Sequence, residues 1–181
     1  LVAANAGRYG GDASRLSLTG DSAGGNLAIN VAYAIAGGTL RPACGGAPPP
    51  VGAVSVLYPA VDPARVYANT DPVFGQSARD LATAYLGGPP DQYPERYAAV
   101  ASATHVGPSA PPTLLLLGAV DHLVPIDGAL AFADRARDAG VGVEVVTIPY
   151  ADHVFDGREG TIGQQTYRQL TAAWLRAHGQ G

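Results

Sequence analysis

Apolar and polar positions change rhythm several times along the chain, and each change predicts an element. Residues 1–9 read as the end of a helix that stops at Gly10-Gly11, where glycine readily closes a helix. A short strand is predicted over 15–19. The stretch 23–36 is small and apolar throughout, as in a buried helix. Glycine and proline dominate 37–50, which reads as a surface loop. Residues 51–58 (VGAVSVLY) form an apolar run of strand length. The region 59–112 is the least regular, and only 78–86 has a helical pattern there. Next come a continuous apolar strand over 113–117, helical spacing through Leu130, Ala133 and Ala136 over 126–139, and a strand over 141–148 (VGVEVVTI). Tyr167, Leu170 and Trp174, three and four residues apart, mark a last helix over 161–178.

Four strands alternating with helices predict an α/β fold: a parallel sheet covered on both faces. Neither a repeat nor an internal linker interrupts the pattern. The 181 residues are 47% hydrophobic and 14% charged, which suits one domain with a sizeable core and argues against disorder. The net charge is −4, and all eleven basic residues are arginine. That balance gives no reason to expect nucleic acid or an acidic lipid surface as a partner. The single cysteine, Cys44, cannot form an internal disulfide, so the redox compartment stays open. No apolar run approaches the roughly 18 residues of a membrane span, and no leader is visible. Because the chain begins at Leu1 and contains no methionine, its true N-terminus is expected to lie upstream.

Chemistry concentrates in three places. The first is Gly20-Asp21-Ser22-Ala23-Gly24-Gly25, a G-x-S-x-G pattern that follows a predicted strand and opens a predicted helix. This is the context of a nucleophile elbow, in which Ser22 projects from a strained turn. Gly20 and Gly24 would leave room for strand and helix to approach, and the N–H of Ala23 would be one oxyanion donor. The alternative is an ordinary Gly-rich turn. The second is Gly118-Ala119-Val120-Asp121-His122, just past the apolar strand at 113–117 and 99 residues after Ser22. A carboxylate there can hold a histidine in one tautomer and stabilise its cation. Asp121 could equally be a loop or helix-capping residue, and Asp127, at a helix start, is its nearest competitor. The third is Asp152-His153-Val154-Phe155, in which His153 follows the last strand by five residues. Serine, aspartate, histidine is the chain order of α/β-hydrolases. His105 and His178 fall on predicted surface, and His122 is expected to face solvent.

These motifs resemble the hormone-sensitive-lipase-like esterases. The matching features are Gly20 to Gly25, Pro111-Pro112 ahead of an apolar strand, Gly118-x-x-Asp121, Ala139-Gly140-Val141, His153-Val154-Phe155 and the approach Arg8-Tyr9-Gly10-Gly11-Asp12. Two details differ: Asp121 is followed by His122-Leu123-Val124-Pro125 in place of an Asp-Pro-Leu type sequence, and His153 by Val154 where glycine is frequent. The resemblance implies the last four parallel strands of an α/β-hydrolase fold with flanking helices, the N-terminal half absent, and residues 1–181 forming the C-terminal part of a single domain. It also implies hydrolysis of short or medium acyl esters, and a His-Gly-Gly-Gly oxyanion loop that this sequence does not contain.

The expected mechanism has Ser22 as nucleophile, His153 as base and Asp121 as its orienting acid, with no metal and no organic cofactor. A small-molecule ester is the expected substrate. Amide, thioester or peptide hydrolysis on the same fold, and a non-catalytic ligand-binding role, are the alternatives. Tyr67, Phe74, Tyr85, Tyr93 and Tyr97 would either line a substrate pocket or anchor the long segment that carries them. The strand at 15–19 is expected at a bare sheet edge, so its partner is the N-terminal half of the same protein or a second copy of the chain.

Overall fold

The structure, a computed structural model, describes residues 2–43, 45–73 and 76–179; Cys44 and Phe74 lie outside them. Helix α1 (Val2–Asn5) runs into a 3-10 turn (Ala6–Tyr9) that Gly10 closes at φ 71°. Strand β1 (Ser17–Asp21) passes without a break into α2 (Ser22–Ala36), and β2 (Ala53–Leu57) follows the Gly/Pro loop. Next come α3 (Pro63–Ala68), a hairpin of β3 (Pro72–Val73) and β4 (Gln76–Ser77), α4 (Ala78–Leu86), α5 (Pro94–Val100) and a 3-10 turn (Ser102–His105). The chain ends with β5 (Thr113–Gly118), α6 (Ile126–Asp138), β6 (Val143–Ile148) and α7 (Ile162–His178).

Helices α3 and α5 and the β3–β4 hairpin fall where the pattern reads as irregular. Both helices are short and start with proline, whose fixed φ and missing N–H suit a first turn. The side chain of Asp62 completes the α3 cap by accepting from the N–H groups of Ala64 and Arg65, each at 3.1 Å. Strand β1 lies two residues further along than expected. Arg15 is held in a surface turn by Asp12 at 2.8 Å, and pairing begins at Ser17 opposite Ala53.

All four strands of the main sheet are parallel, in the order β1-β2-β5-β6. The two central strands are buried at every position, as in a sheet with helices on both faces. Alternate residues divide the core into two layers. Val54, Val56, Leu115 and Leu117 pack with Ile29, Ala32 and Tyr33 of α2 and with Phe132, Ala133 and Ala136 of α6. Ala53, Leu57, Leu114 and Leu116 pack with Trp174 of α7, flanked by Tyr167 and Leu170. Two side-chain hydrogen bonds cross these layers, Tyr33 with Thr113 at 2.9 Å and Ser55 with Thr171 at 2.8 Å. Burial raises the Tyr33 phenol to about 12, so it stays neutral. Among the described residues, no strand pairs with the outer side of β1.

Candidate active site

The turn from β1 into α2 places Ser22. Its φ is +50°, a left-handed conformation that a side chain other than glycine rarely adopts. The close packing around it explains two glycines. A Cβ on Gly20 would lie 2.4 Å from the carbonyl oxygen of Gly24, and one on Gly25 would lie 2.9 Å from Pro59 Cβ. Gly24 does not make room in the way expected of it: a Cβ there meets nothing nearer than Asp21 Oδ1 at 3.9 Å. The close approach therefore belongs to Gly20 and Gly25. Asp21 stands at the N-cap of α2 with an exposed side chain that makes no capping hydrogen bond. The carbonyl of Ser22 accepts from Ala60 N at 3.1 Å, tying the turn to the segment after β2. The N–H of Ala23 belongs to the first turn of α2, where no carbonyl four residues back within the helix is available.

Asp121 and His153 come from the loops after β5 and β6, adjacent strands whose C-terminal ends lie side by side. Gly118 lets these loops touch, since a Cβ there would sit 2.5 Å from the carbonyl oxygen of Ala151. Asp121 is fully buried at its side chain and His153 nearly so, at 0% and 7% exposure. Asp121 Oδ1 accepts from the N–H groups of Leu123 at 3.0 Å and Val124 at 2.7 Å, which fixes the carboxylate. Its Oδ2 accepts from His153 Nδ1 at 2.8 Å. A carboxylate can only accept, so Nδ1 carries the ring proton and Nε2 presents a lone pair. That nitrogen lies 3.0 Å from Ser22 Oγ, which donates to it. The structure thus brings the three residues into one hydrogen-bonded chain.

Several residues around this chain escape the sequence reading. The Tyr58 ring packs on His153 with centroids 4.4 Å apart, and its hydroxyl donates to Asp156 at 2.5 Å. Burial first, and then the Asp156 carboxylate, push the Tyr58 phenol far up, so it keeps its proton. Asp152 joins the two loops through His122. Four described residues other than glycine have a positive φ: Ser22, Tyr58, Tyr150 and Val154. One is the elbow serine, one stacks on His153, and two flank His153 within its loop, so the strain gathers where the loops must be held. The remaining candidates lie elsewhere. Asp127 pairs with Arg65, His105 bonds to the carbonyl of Ala99 at 3.0 Å, and His178 lies on Trp174. His122 is exposed, as expected, and is paired with Asp152.

A cavity of about 260 Å³ opens beside Ser22. Ala23, Asn26, Leu27, Val66, Leu81 and Tyr85 are among its walls, and among the described residues no charged side chain lines it. The aromatics of the long segment divide accordingly. Tyr85 lines the cavity, whereas Tyr67 and Tyr97 pack edge to face and Tyr93 lies under Arg96. Asn26 and Asn30 both donate to the carbonyl of Val100, at 2.9 and 2.8 Å, and so fasten the cavity wall to α2.

A parallel sheet with a serine at the turn between a strand and a helix, and aspartate and histidine after later strands, is the architecture of α/β-hydrolases. Comparison agrees: the family described as alpha/beta hydrolase fold matches residues 1–157, so the chain belongs to that family. It is similar to the probable carboxylic ester hydrolase LipM of Mycobacterium tuberculosis, at 28% identity over 156 residues that make up 86% of this chain and 36% of the relative. Esterase LipQ of the same organism is 30% identical over 156 residues, again 86% of this chain and 36% of the relative. The crystal structure of esterase LipW from Mycobacterium marinum superposes with a TM-score of 0.72 at 30% identity, covering 97% of this chain and 54% of that one. The chain therefore spans about a third of the length of the curated relatives it matches.

Proposed function

We propose that this chain carries the nucleophile, base and acid of a serine carboxylic-ester hydrolase. The observation that carries the reading is the continuous chain from Ser22 Oγ through His153 to Asp121, with spacings of 3.0 and 2.8 Å, at the mouth of an uncharged cavity. The esterase names of LipM, LipQ and LipW support it. Ser22 Oγ attacks the ester carbonyl while His153 Nε2 takes its proton. The same imidazolium protonates the leaving alcohol, and Asp121 stabilises the cation in between. Water, deprotonated by His153, then cleaves the acyl-enzyme. The N–H of Ala23 faces the oxyanion, and a further donor comes from outside these residues. A cavity without charged walls suits a neutral short or medium acyl or alcohol group.

The open side of β1 belongs to the same proposal. An unpaired strand edge recruits another strand, supplied by the rest of a longer protein or by a second copy.

The test uses the full-length protein, a fluorophosphonate probe and a short-chain p-nitrophenyl ester. Wild type should hydrolyse the ester with an acyl-enzyme burst and take up the probe on the peptide containing Ser22. Ser22→Ala should do neither. A Ser22→Ala variant that still shows the burst would exclude Ser22 as nucleophile.

A further inference from the structure

The loops that carry Asp121 and His153 exchange an aspartate and a histidine twice. The inner pair is Asp121 with His153, buried and 2.8 Å apart. The outer pair uses the neighbouring residue on each loop: His122 Nδ1–H donates to Asp152 Oδ2 at 2.9 Å, with both side chains more than half exposed. Asp152 Oδ1 also accepts from the backbone N–H of His122 at 2.9 Å and from that of His153 at 2.7 Å. One carboxylate therefore holds the main chain on both sides of the inner pair. Backbone bonds join the loops from Ala119 to Ile148 and from Val120 to Ala151, each at 3.0 Å, and end there. Past Ala151, the hydrogen bonds between these loops among the described residues are the inner pair and those of Asp152.

We propose that Asp152 is a positioning residue: its carboxylate, braced by His122, fixes the backbone of His153 so that Nε2 meets Ser22. The proposal rests on the hydrolase reading above. Its physical basis is the strain on either side of His153. Tyr150 and Val154 stand at φ +59° and +60°, and such conformations persist only where their surroundings over-determine them. An exposed pair adds little to overall stability. An ångström of misplacement of a reacting group, by contrast, can cost roughly 100-fold in rate. The effect of Asp152 therefore falls chiefly on turnover, with only a small share in folding stability.

The experiment compares wild type, Asp152→Ala, Asp152→Asn and His122→Phe in the full-length protein. It measures kcat and KM on p-nitrophenyl butyrate, the rate of fluorophosphonate labelling, thermal unfolding, and the downfield proton resonance of His153 Nδ1. Asp152→Ala should lower kcat and labelling roughly 10-fold or more, with KM within about twofold and the unfolding temperature close to wild type. Asp152→Asn keeps an oxygen that accepts both N–H groups and should recover to within about threefold of wild type. His122→Phe should fall between the two. The Nδ1 proton signal should broaden in Asp152→Ala and stay sharp in Asp152→Asn. Wild-type turnover in Asp152→Ala, or equal loss in the alanine and asparagine variants, would overturn the proposal. An unchanged Nδ1 signal in Asp152→Ala would overturn it as well, even in a protein that hydrolyses no ester. The hydrolase reading fails separately, if wild type neither turns over the ester nor takes up the probe.

Discussion

Gly20→Ala and Gly24→Ala each add one methyl to the G-x-S-x-G turn, and the structure predicts opposite outcomes. At Gly20 the new Cβ would lie 2.4 Å from Gly24 O, 2.5 Å from Gly24 C and 2.8 Å from Gly25 N. All three are main-chain atoms at the start of α2, which cannot rotate aside as a side chain would. Strand and helix must part by roughly an ångström to reach ordinary contact. Overpacking of this kind costs about 1–3 kcal/mol, and three rigid contacts place it near the upper end, at about 3 kcal/mol. Ser22 moves with the turn, so labelling should fall roughly 100-fold. At Gly24 the nearest atom to a Cβ is Asp21 Oδ1 at 3.9 Å. Alanine there improves helix propensity, so stability should hold or rise by up to about 1 kcal/mol. Guanidinium unfolding and fluorophosphonate labelling of the two full-length variants decide the matter. Equal damage from both substitutions, or a Gly20→Ala protein within about 0.5 kcal/mol of wild type, would refute the assignment of the close approach to Gly20.

Three further outcomes follow from the geometry. Val154→Gly should leave stability unchanged or raise it by up to about 1 kcal/mol, because a β-branched residue at φ +60° is strained where glycine is not; chemical unfolding checks this, and a loss above about 1 kcal/mol contradicts it. The outer Asp–His pair should give stability a pH window. Its hydrogen bond to Asp152 raises the His122 imidazole above its ordinary 6.5, so that contribution is full below 6.5 and disappears as pH rises through the raised value. Burial works to raise the Asp152 carboxyl, but hydrogen bonds from His122 and His153 outweigh it and hold the group below its ordinary 3.8; that contribution is lost as pH falls through the lowered value. The stability difference between wild type and His122→Phe should therefore be largest between these limits and shrink at pH 9, and a difference that grows with pH contradicts the pairing. Finally, the 181-residue chain expressed alone should sediment above the monomer or bind an added segment along β1, and a monodisperse monomer that binds nothing there argues against the edge proposal.

The elements that form the sheet and its covering helices were legible because long periodic runs dominate them. Leu114 to Leu117 is a short unbroken apolar run of strand length, and Tyr167, Leu170 and Trp174 fall on one face of a helix. Helices α3 and α5 were not, because six and seven residues are too few to show a period. Their signals were chemical: Asp62-Pro63 is a cap followed by a first-turn proline, and Pro94-Glu95 pairs such a proline with an acid suited to a helix N-terminus. At the site, Ser22, Asp121 and His153 stood out by order and by position after strands. Tyr58 did not, since it closes an apolar run and reads as one more core residue. Its contact with His153 depends on a left-handed turn at Tyr58 itself, which no local pattern announces. Asp152 stayed silent for a related reason. The sequence repeats Asp-His at 121–122 and 152–153, but only the register of β5 against β6 turns that repeat into a crossed pairing.

The arrangement follows from one property of a parallel sheet. Every strand ends on the same side, so the turns after β1, β5 and β6 converge although Ser22 and His153 are 131 residues apart. The site needs no long-range device beyond strand order, and the precision comes from contacts within and between neighbouring turns. Gly20 and Gly118 remove the Cβ atoms that would hold those turns apart. The carboxylates of Asp121, Asp152 and Asp156 then spend lone pairs on donors from a neighbouring turn: His153 Nδ1 for the first, the backbone and ring N–H groups of His122 for the second, the Tyr58 hydroxyl for the third. Each bond locks one coordinate of His153 or of the ring beneath it. The cavity wall obeys a different rule. Half of its residues come from the short helices of 59–112, anchored at a few points such as Asn26 and Asn30 on Val100. Substitutions at Leu81 or Tyr85, 42% and 63% exposed, can change what fits beside Ser22 without disturbing the turns that align it. On the proposed hydrolase reading, strand order sets the alignment of Ser22, His153 and Asp121, whereas half of the cavity wall is supplied by short helices outside the main sheet.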